Sequence, residues 1–174
     1  MSGLLFLTAD DFSKITDENG NNVMINNIPN FSLILFYSTH CQHCQNIIPI
    51  MKALPGTVTG CQFGMINVSK NKKTIKMSKN TITPLTYVPY IILYYNKRPY
   101  MRYDGDINNI QEIQTFVKEV ADSILQQVNT HKNNSDTNQN EYHVSIPEYC
   151  IAKPTRGGVN ENICYVNFSD AYYH

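Results

Sequence analysis

Two cysteines, Cys41 and Cys44, stand two residues apart with Gln42 and His43 between them. A thiolate is a nucleophile toward disulfides, and a second thiol one helical turn away can attack the resulting mixed disulfide and release its partner. If the pair opens a helix, unpaired backbone N–H groups and the helix dipole stabilise negative charge on the first sulfur and lower its pKa. Cys41 would then be the exposed attacking residue and Cys44 the more buried resolving one. The spacing is compatible with two other readings. The cysteines could be buried structural thiols, or half of a zinc site with His40 and His43 as nitrogen ligands. A structural zinc site wants four ligands, however, and there is one such cysteine pair, so no metal is expected. Among the remaining cysteines, Cys61 precedes an apolar run and reads as a buried hydrophobe. Cys150 and Cys164 lie near the C-terminus. Between them Pro154, Gly157-Gly158 and Asn160 suggest a turn, so either a bracing disulfide or two free thiols fits.

The elements around the pair must place it at a strand-to-helix turn. Ser32–Tyr37 is nearly all apolar, as a strand buried on both faces would be. After the cysteines, Ile47, Ile48, Met51 and Leu54 recur at helical spacing. Pro49 lies inside that stretch, and Pro55-Gly56 ends it. Phe63–Val68 is a further strand, which completes a βαβ unit. Upstream, Leu4–Leu7 reads as a first strand. Thr8-Ala9-Asp10-Asp11 offers caps for a helix through Phe12 and Ile15, and Asn19-Gly20 marks a turn. Downstream, Lys72–Lys79 suggests a short helix, and Tyr90–Tyr95 and Pro99–Tyr103 suggest strands joined at Asn96-Lys97. From Ile107 to Val128 the apolar residues fall at helical spacing. Residues 129–141 carry no apolar side chain and read as a flexible linker.

Composition bounds the rest. Acidic and basic residues balance at 14 each, and 42% of the 174 residues are hydrophobic. Neither a general affinity for nucleic acid nor one for anionic membrane is indicated. Leu4–Leu7 is too short for a signal-peptide core, and no apolar stretch approaches a membrane span. A cytoplasmic, reducing location is therefore expected. The 21 Asn against 5 Ala look like AT-rich coding.

The segment Phe36-Tyr37-Ser38-Thr39-His40-Cys41-Gln42-His43-Cys44 resembles the active-site segment of the thioredoxin superfamily. Pro49 matches the proline of the family's active-site helix. Tyr87-Val88-Pro89-Tyr90 is similar to its loop with a cis proline, and Gly105 matches a glycine at the same offset from that proline. The resemblance covers roughly residues 1–128. It implies an α/β, thioredoxin-like fold: a central mixed β-sheet flanked by helices, here with a C-terminal extension. The division is a thioredoxin-like domain at 1–128, a linker at 129–141 and a Tyr-rich extension at 142–174. The resemblance also implies a redox-active Cys41–Cys44 pair without cofactor. Val88 and Pro89 would then form the loop that pairs with the substrate backbone.

Two departures from the family pattern bear on chemistry. Gln42-His43 replaces the Gly-Pro of thioredoxins. A histidine before the second cysteine is similar to disulfide isomerases and bacterial periplasmic oxidases. Protonated, His43, with His40 nearby, would favour the Cys41 thiolate and make the disulfide a stronger oxidant. Leu35 stands where thioredoxins and disulfide isomerases place a buried acid that assists proton transfer at the resolving thiol.

The expected function is thiol–disulfide exchange with protein substrates. A thioredoxin-fold scaffold or virion protein with little turnover is the alternative, and a metal carrier using Cys41 and Cys44 is a third. The ending Cys-Tyr-Val-Asn-Phe-Ser-Asp-Ala-Tyr-Tyr resembles extensions on thioredoxin-like proteins of large DNA viruses. That implies action at a cytosolic assembly site or in the virion. The extension, dense in tyrosine, is expected to serve self-association or partner docking and not the fold itself.

Overall fold

Seven apolar or small residues, Phe31–Tyr37, form strand β4, and all but the last are buried. The strand alternates between two cores. Leu33 and Leu35 face Ile47 and Met51 of helix α1 (Gln42–Ala53) and Ile113, Val117, Val120 and Ile124 of helix α3 (Ile110–Lys132). Ile34 and Phe36 face Phe12, Met24 and Ile75 on the opposite side. A strand sandwiched in this way reads as a continuous hydrophobic run because neither face meets water.

The protein is described by a computed structural model, which covers residues 3–132 and 164–165. Its main sheet has the order β1-β5-β4-β7-β8. Strands β1 (Leu5–Leu7), β5 (Cys61–Asn67) and β4 run parallel, with Leu5 opposite Gly64 and Leu35 opposite Met65. On the other side of β4, β7 (Tyr90–Tyr95) and β8 (Arg98–Tyr103) run antiparallel, with Leu35 opposite Ile91. The β7–β8 turn is Asn96-Lys97, both at positive φ (46° and 73°), the conformation a two-residue hairpin turn demands. The arrangement is a mixed sheet flanked by helices, as expected, with the βαβ unit at its centre.

One expected element is replaced. Thr8–Asp11 does cap, but it caps a single 3-10 turn, Ala9–Asp11, with the Asp11 carboxylate accepting from the Thr8 N–H at 2.7 Å. Phe12–Thr16 is then strand β2, not helix, and it pairs with β3 (Asn22–Asn26). The hairpin is closed by Asp17, whose Oδ1 accepts from the N–H groups of Asn19 and Asn21, and by Gly20 at φ 81°. Ile15 and Thr16 are β-branched and pair opposite Val23 and Asn22, which suits a pleated ribbon better than a helix.

Helix α2 (Lys72–Ser78) lies where expected. Helix α3 continues through Lys132, so the first four residues of the expected linker 129–141 are helical. No glycine or proline stops it, and the Thr130 hydroxyl donates to the Gln126 carbonyl at 2.9 Å. Residues 133–163 and 166–174, including Cys150, lie outside the described residues. A two-residue strand, β9 (Cys164–Tyr165), pairs antiparallel with β6 (Tyr87–Val88). Thus part of the C-terminal extension is seated on the domain.

Gly64 is a point of close approach. A Cβ there would lie 2.9 Å from Ile34 Cδ1 and 3.1 Å from Leu7 Cδ1, both packed side chains. Gly64→Val is expected to cost about 1–3 kcal/mol by overpacking. The check is the denaturant midpoint at unchanged m-value, and an unshifted midpoint would show that β1 yields freely.

Candidate active site

Strand β4 ends at Tyr37, and the chain turns at once into α1. The Cys41 N–H donates to the Ser38 carbonyl at 3.2 Å, and the Cys44 N–H donates to the Cys41 carbonyl at 3.1 Å. Cys41 is the N-cap of α1, in extended backbone (φ −99°, ψ 117°), and its side chain makes no capping hydrogen bond. The first-turn amides of α1 therefore open beside the Cys41 sulfur, the placement that stabilises a thiolate. Pro49 lies inside α1 on its exposed side.

The Val88–Pro89 peptide is cis. It brings the Val88 carbonyl oxygen to 3.7 Å from Cys41 Sγ. Cys41 is disulfide-bonded here, so its sulfur has no proton to donate and the separation is a contact, not a hydrogen bond.

One expectation about the pair needs correction for this state of the molecule. Cys41 was expected to be exposed, yet it is 2% exposed against 0% for Cys44. Its sulfur is engaged in a disulfide and lies against Val88, which shields it. Cys41 and Cys44 are not bonded to each other, since Cys44 is a free thiol, as is Cys61.

Burial governs both free thiols. It pushes Cys44 up to about 11, an effect partly offset by a hydrogen bond with the Ser38 backbone. It pushes Cys61 up to about 12, partly offset by the Leu33 backbone. Cys61 is thus an inert core side chain. Leu35 is fully buried in the α1–α3 core and supplies no proton-transfer group. The ionisable side chain that senses Cys44 is Tyr37, whose phenol is pushed up by burial and by the charge Cys44 carries as thiolate.

His40 is exposed, and its backbone N–H donates to Ser38 Oγ at 3.2 Å. His43 is half-buried. No group of three or more His, Cys, Asp or Glu side chains among the described residues is disposed to hold a metal. The pairing of Cys150 with Cys164 falls partly outside those residues, while Cys164 lies opposite Val88.

Sequence reasoning missed a cluster beside the cis proline. Arg102 Nη1 donates to Tyr87 Oη at 2.9 Å, the guanidinium lies 5.9 Å from the centre of the Tyr90 ring, and the Tyr87 and Tyr90 rings are 4.9 Å apart. The signal available was Arg102 itself, one of three arginines in a lysine-rich chain, inside a tyrosine-rich strand.

A family model described as Thioredoxin matches residues 11–119. The chain belongs to the thioredoxin family. It is also 33% identical over 178 residues to the uncharacterized protein 196R of Invertebrate iridescent virus 6, a match covering 99% of this chain and 95% of that protein. With the uncharacterized protein 020R of Invertebrate iridescent virus 3 it shares 27% identity over 173 residues, covering 98% and 96%. Among solved structures, an N21Q mutant thioredoxin from Halobacterium salinarum NRC-1 matches at TM-score 0.48 and 15% identity, over 68% of this chain and 90% of that one. The family model ends before the C-terminal extension, whereas the viral matches run nearly the whole chain.

The buried thiol makes a statement about stability. An unfolded cysteine ionises near the ordinary value of 9, while folded Cys44 keeps its proton to about 11. The folded state then binds the proton more tightly, so this stabilisation is complete below about pH 9 and is lost as pH rises toward 11. Cys44→Ala is expected to flatten the alkaline fall in denaturant midpoint over that window. Superimposable profiles for the two proteins would show that Cys44 titrates as an exposed thiol.

Proposed function

We propose that the protein is a thiol–disulfide oxidoreductase acting on protein substrates through Cys41 and Cys44, and that its couple is more oxidising than that of thioredoxin. The observation that carries this reading is Cys41 at the N-terminus of α1, one turn from Cys44, with its sulfur against the Val88 carbonyl beside the cis proline. In the oxidised form, a client thiolate attacks Cys41 or Cys44 of their mutual disulfide, and the other sulfur leaves as thiolate. A second client thiol then releases the enzyme as a dithiol and departs as a disulfide. In the reducing direction the Cys41 thiolate attacks a client disulfide, and Cys44 resolves the mixed disulfide.

The resolving step is where this chain departs from its family. With a pKa of about 11, Cys44 is thiolate in only about one molecule in ten thousand at pH 7. No carboxylate stands at position 35 to take its proton. The rate of resolution is therefore expected to climb nearly tenfold per pH unit from neutrality until the Cys44 pKa is approached. This also favours a second reading, a thioredoxin-fold scaffold with slow turnover, whose evidence is Leu35. The viral relatives suit action in the cytoplasm of an infected cell or in the virion.

Two measurements test the proposal. Equilibration with glutathione should give a Cys41–Cys44 potential above about −270 mV, and His43→Pro should lower it. Insulin reduction should vanish in Cys41→Ser, and Cys44→Ser with Cys164 also replaced by Ser should trap a mixed disulfide through Cys41. A potential at or below the thioredoxin value would remove the oxidising assignment. Equal turnover by wild type and Cys41→Ser would remove the site.

A further inference from the structure

β6 (Tyr87–Val88) belongs to a two-stranded sheet of its own, and its strand partner is β9 from the far end of the chain. The pairing is antiparallel, with Cys164 opposite Val88 and Tyr165 opposite Tyr87. Directly opposed residues in an antiparallel pair have Cα atoms about 4.5–5.5 Å apart. The carbonyl of that same Val88 touches Cys41 Sγ at 3.7 Å. The register therefore sets the Cys164 backbone against the same residue whose carbonyl touches Cys41 Sγ.

A second observation is independent of the register. Cys41 is disulfide-bonded while Cys44 and Cys61 are free. The chain has five cysteines, which leaves Cys150 and Cys164. Only Cys164 is placed at Val88 by the described strand pairing.

We propose that Cys164 is a third exchanging cysteine, carried to Cys41 by strand β9, so that the chain's own C-terminal segment occupies the edge at Tyr87–Val88 where a client peptide would bind. The inference rests on the oxidoreductase reading above and identifies the first disulfide partner of that site. The cross-linked form has a Cys41–Cys164 bond and a free Cys44. The Cys44 thiolate attacks Cys41 Sγ, the Cys41–Cys44 bond forms, the Cys41–Cys164 bond breaks, and Cys164 leaves as thiolate and takes up the proton Cys44 gave to solvent. One disulfide and one thiol are present before and after, so no oxidant is consumed. The products are the oxidised Cys41–Cys44 couple and a released strand. The high pKa of Cys44 sets the timing, because the cross-linked form persists until Cys44 ionises.

The seat has side chains suited to an extended segment. Tyr87, held by Arg102 at 2.9 Å, flanks the edge beside Tyr90, opposite the backbone of Tyr165. The full-length match to the two viral proteins shows that the extension belongs to this kind of chain and is not an isolated appendage.

The test uses the full-length Cys44→Ser protein, dilute and monomeric, incubated with oxidised glutathione. There Cys41 becomes glutathionylated, a Cys164 thiolate displaces glutathione, and one glutathione disulfide is reduced to two thiols overall. Tryptic cleavage separates the candidates, since residues 15–52 hold Cys41, 133–156 hold Cys150 and 157–174 hold Cys164. The expected product is the 15–52 peptide linked to 157–174 within one monomer. A link from 15–52 to 133–156, a Cys150–Cys164 link, or glutathione retained on Cys41 with Cys164 free would each overturn it. On the Cys44-containing background, Cys164→Ser should react with a dithiol client several-fold faster than oxidised wild type at neutral pH, where the strand blocks the edge. An equal rate would overturn the occupancy. A 15–52 to 157–174 link with no client exchange by either protein would instead sink the oxidoreductase reading and leave the link standing.

Discussion

Strand β4 is buried on both faces, and that burial fixes where the chemistry sits. Leu33 and Leu35 are locked against α1 and α3, while Ile34 and Phe36 are locked against the hairpin and α2. A one-residue slip would exchange the two sets and drive every side chain into the wrong core. The C-terminal end of the strand therefore has one position, and Cys41 follows it by four residues, too few to wander. The same register brings Phe36 opposite Tyr90, next to the cis Val88–Pro89 peptide. One constraint thus sets both halves of the site, the helix N-terminus and the proline loop.

Within that frame the two cysteines are made unequal by their surroundings and not by their chemistry. Cys41 stands at the open end of a helix, where amide dipoles favour charge. Cys44 points into a dry core, where charge is penalised and the partial relief is a backbone hydrogen bond from the preceding turn. Leu35 is packed wholly within the α1–α3 core, so its position offers Cys44 no proton acceptor.

The elements legible in the sequence are those with long, unambiguous periods. A seven-residue, almost wholly apolar run at β4 and more than five turns of spaced apolar residues in α3 admit one reading each. Phe12 and Ile15 are three apart in a five-residue segment, which suits a helix face or a short ribbon equally. There the caps Thr8 and Asp11 pointed to a helix, and the structure uses them on a single 3-10 turn. The Cys41, Cys44 and Val88–Pro89 constellation was legible because its parts sit at family-defining offsets. The meeting of Val88 with Cys164 was not. Pairing between strands so distant in the chain leaves no local trace, and a two-residue strand carries too little pattern to announce itself.

The outer margins of the main sheet give the β6 edge a further significance. On one side the sheet ends in β1, three residues long. On the other it ends in β8, which carries Arg98, Pro99 and Arg102, and the β2–β3 hairpin lies against it, with the Asn26 N–H donating to the Lys97 carbonyl at 2.9 Å. Short length, a missing N–H, positive charge and a covering ribbon are all means by which a sheet resists growing by unwanted strand addition. Both margins of the large sheet are thereby blunted against aggregation. At β6, by contrast, strand pairing is confined to a two-residue stub that β9 already meets, too short to seed a fibril.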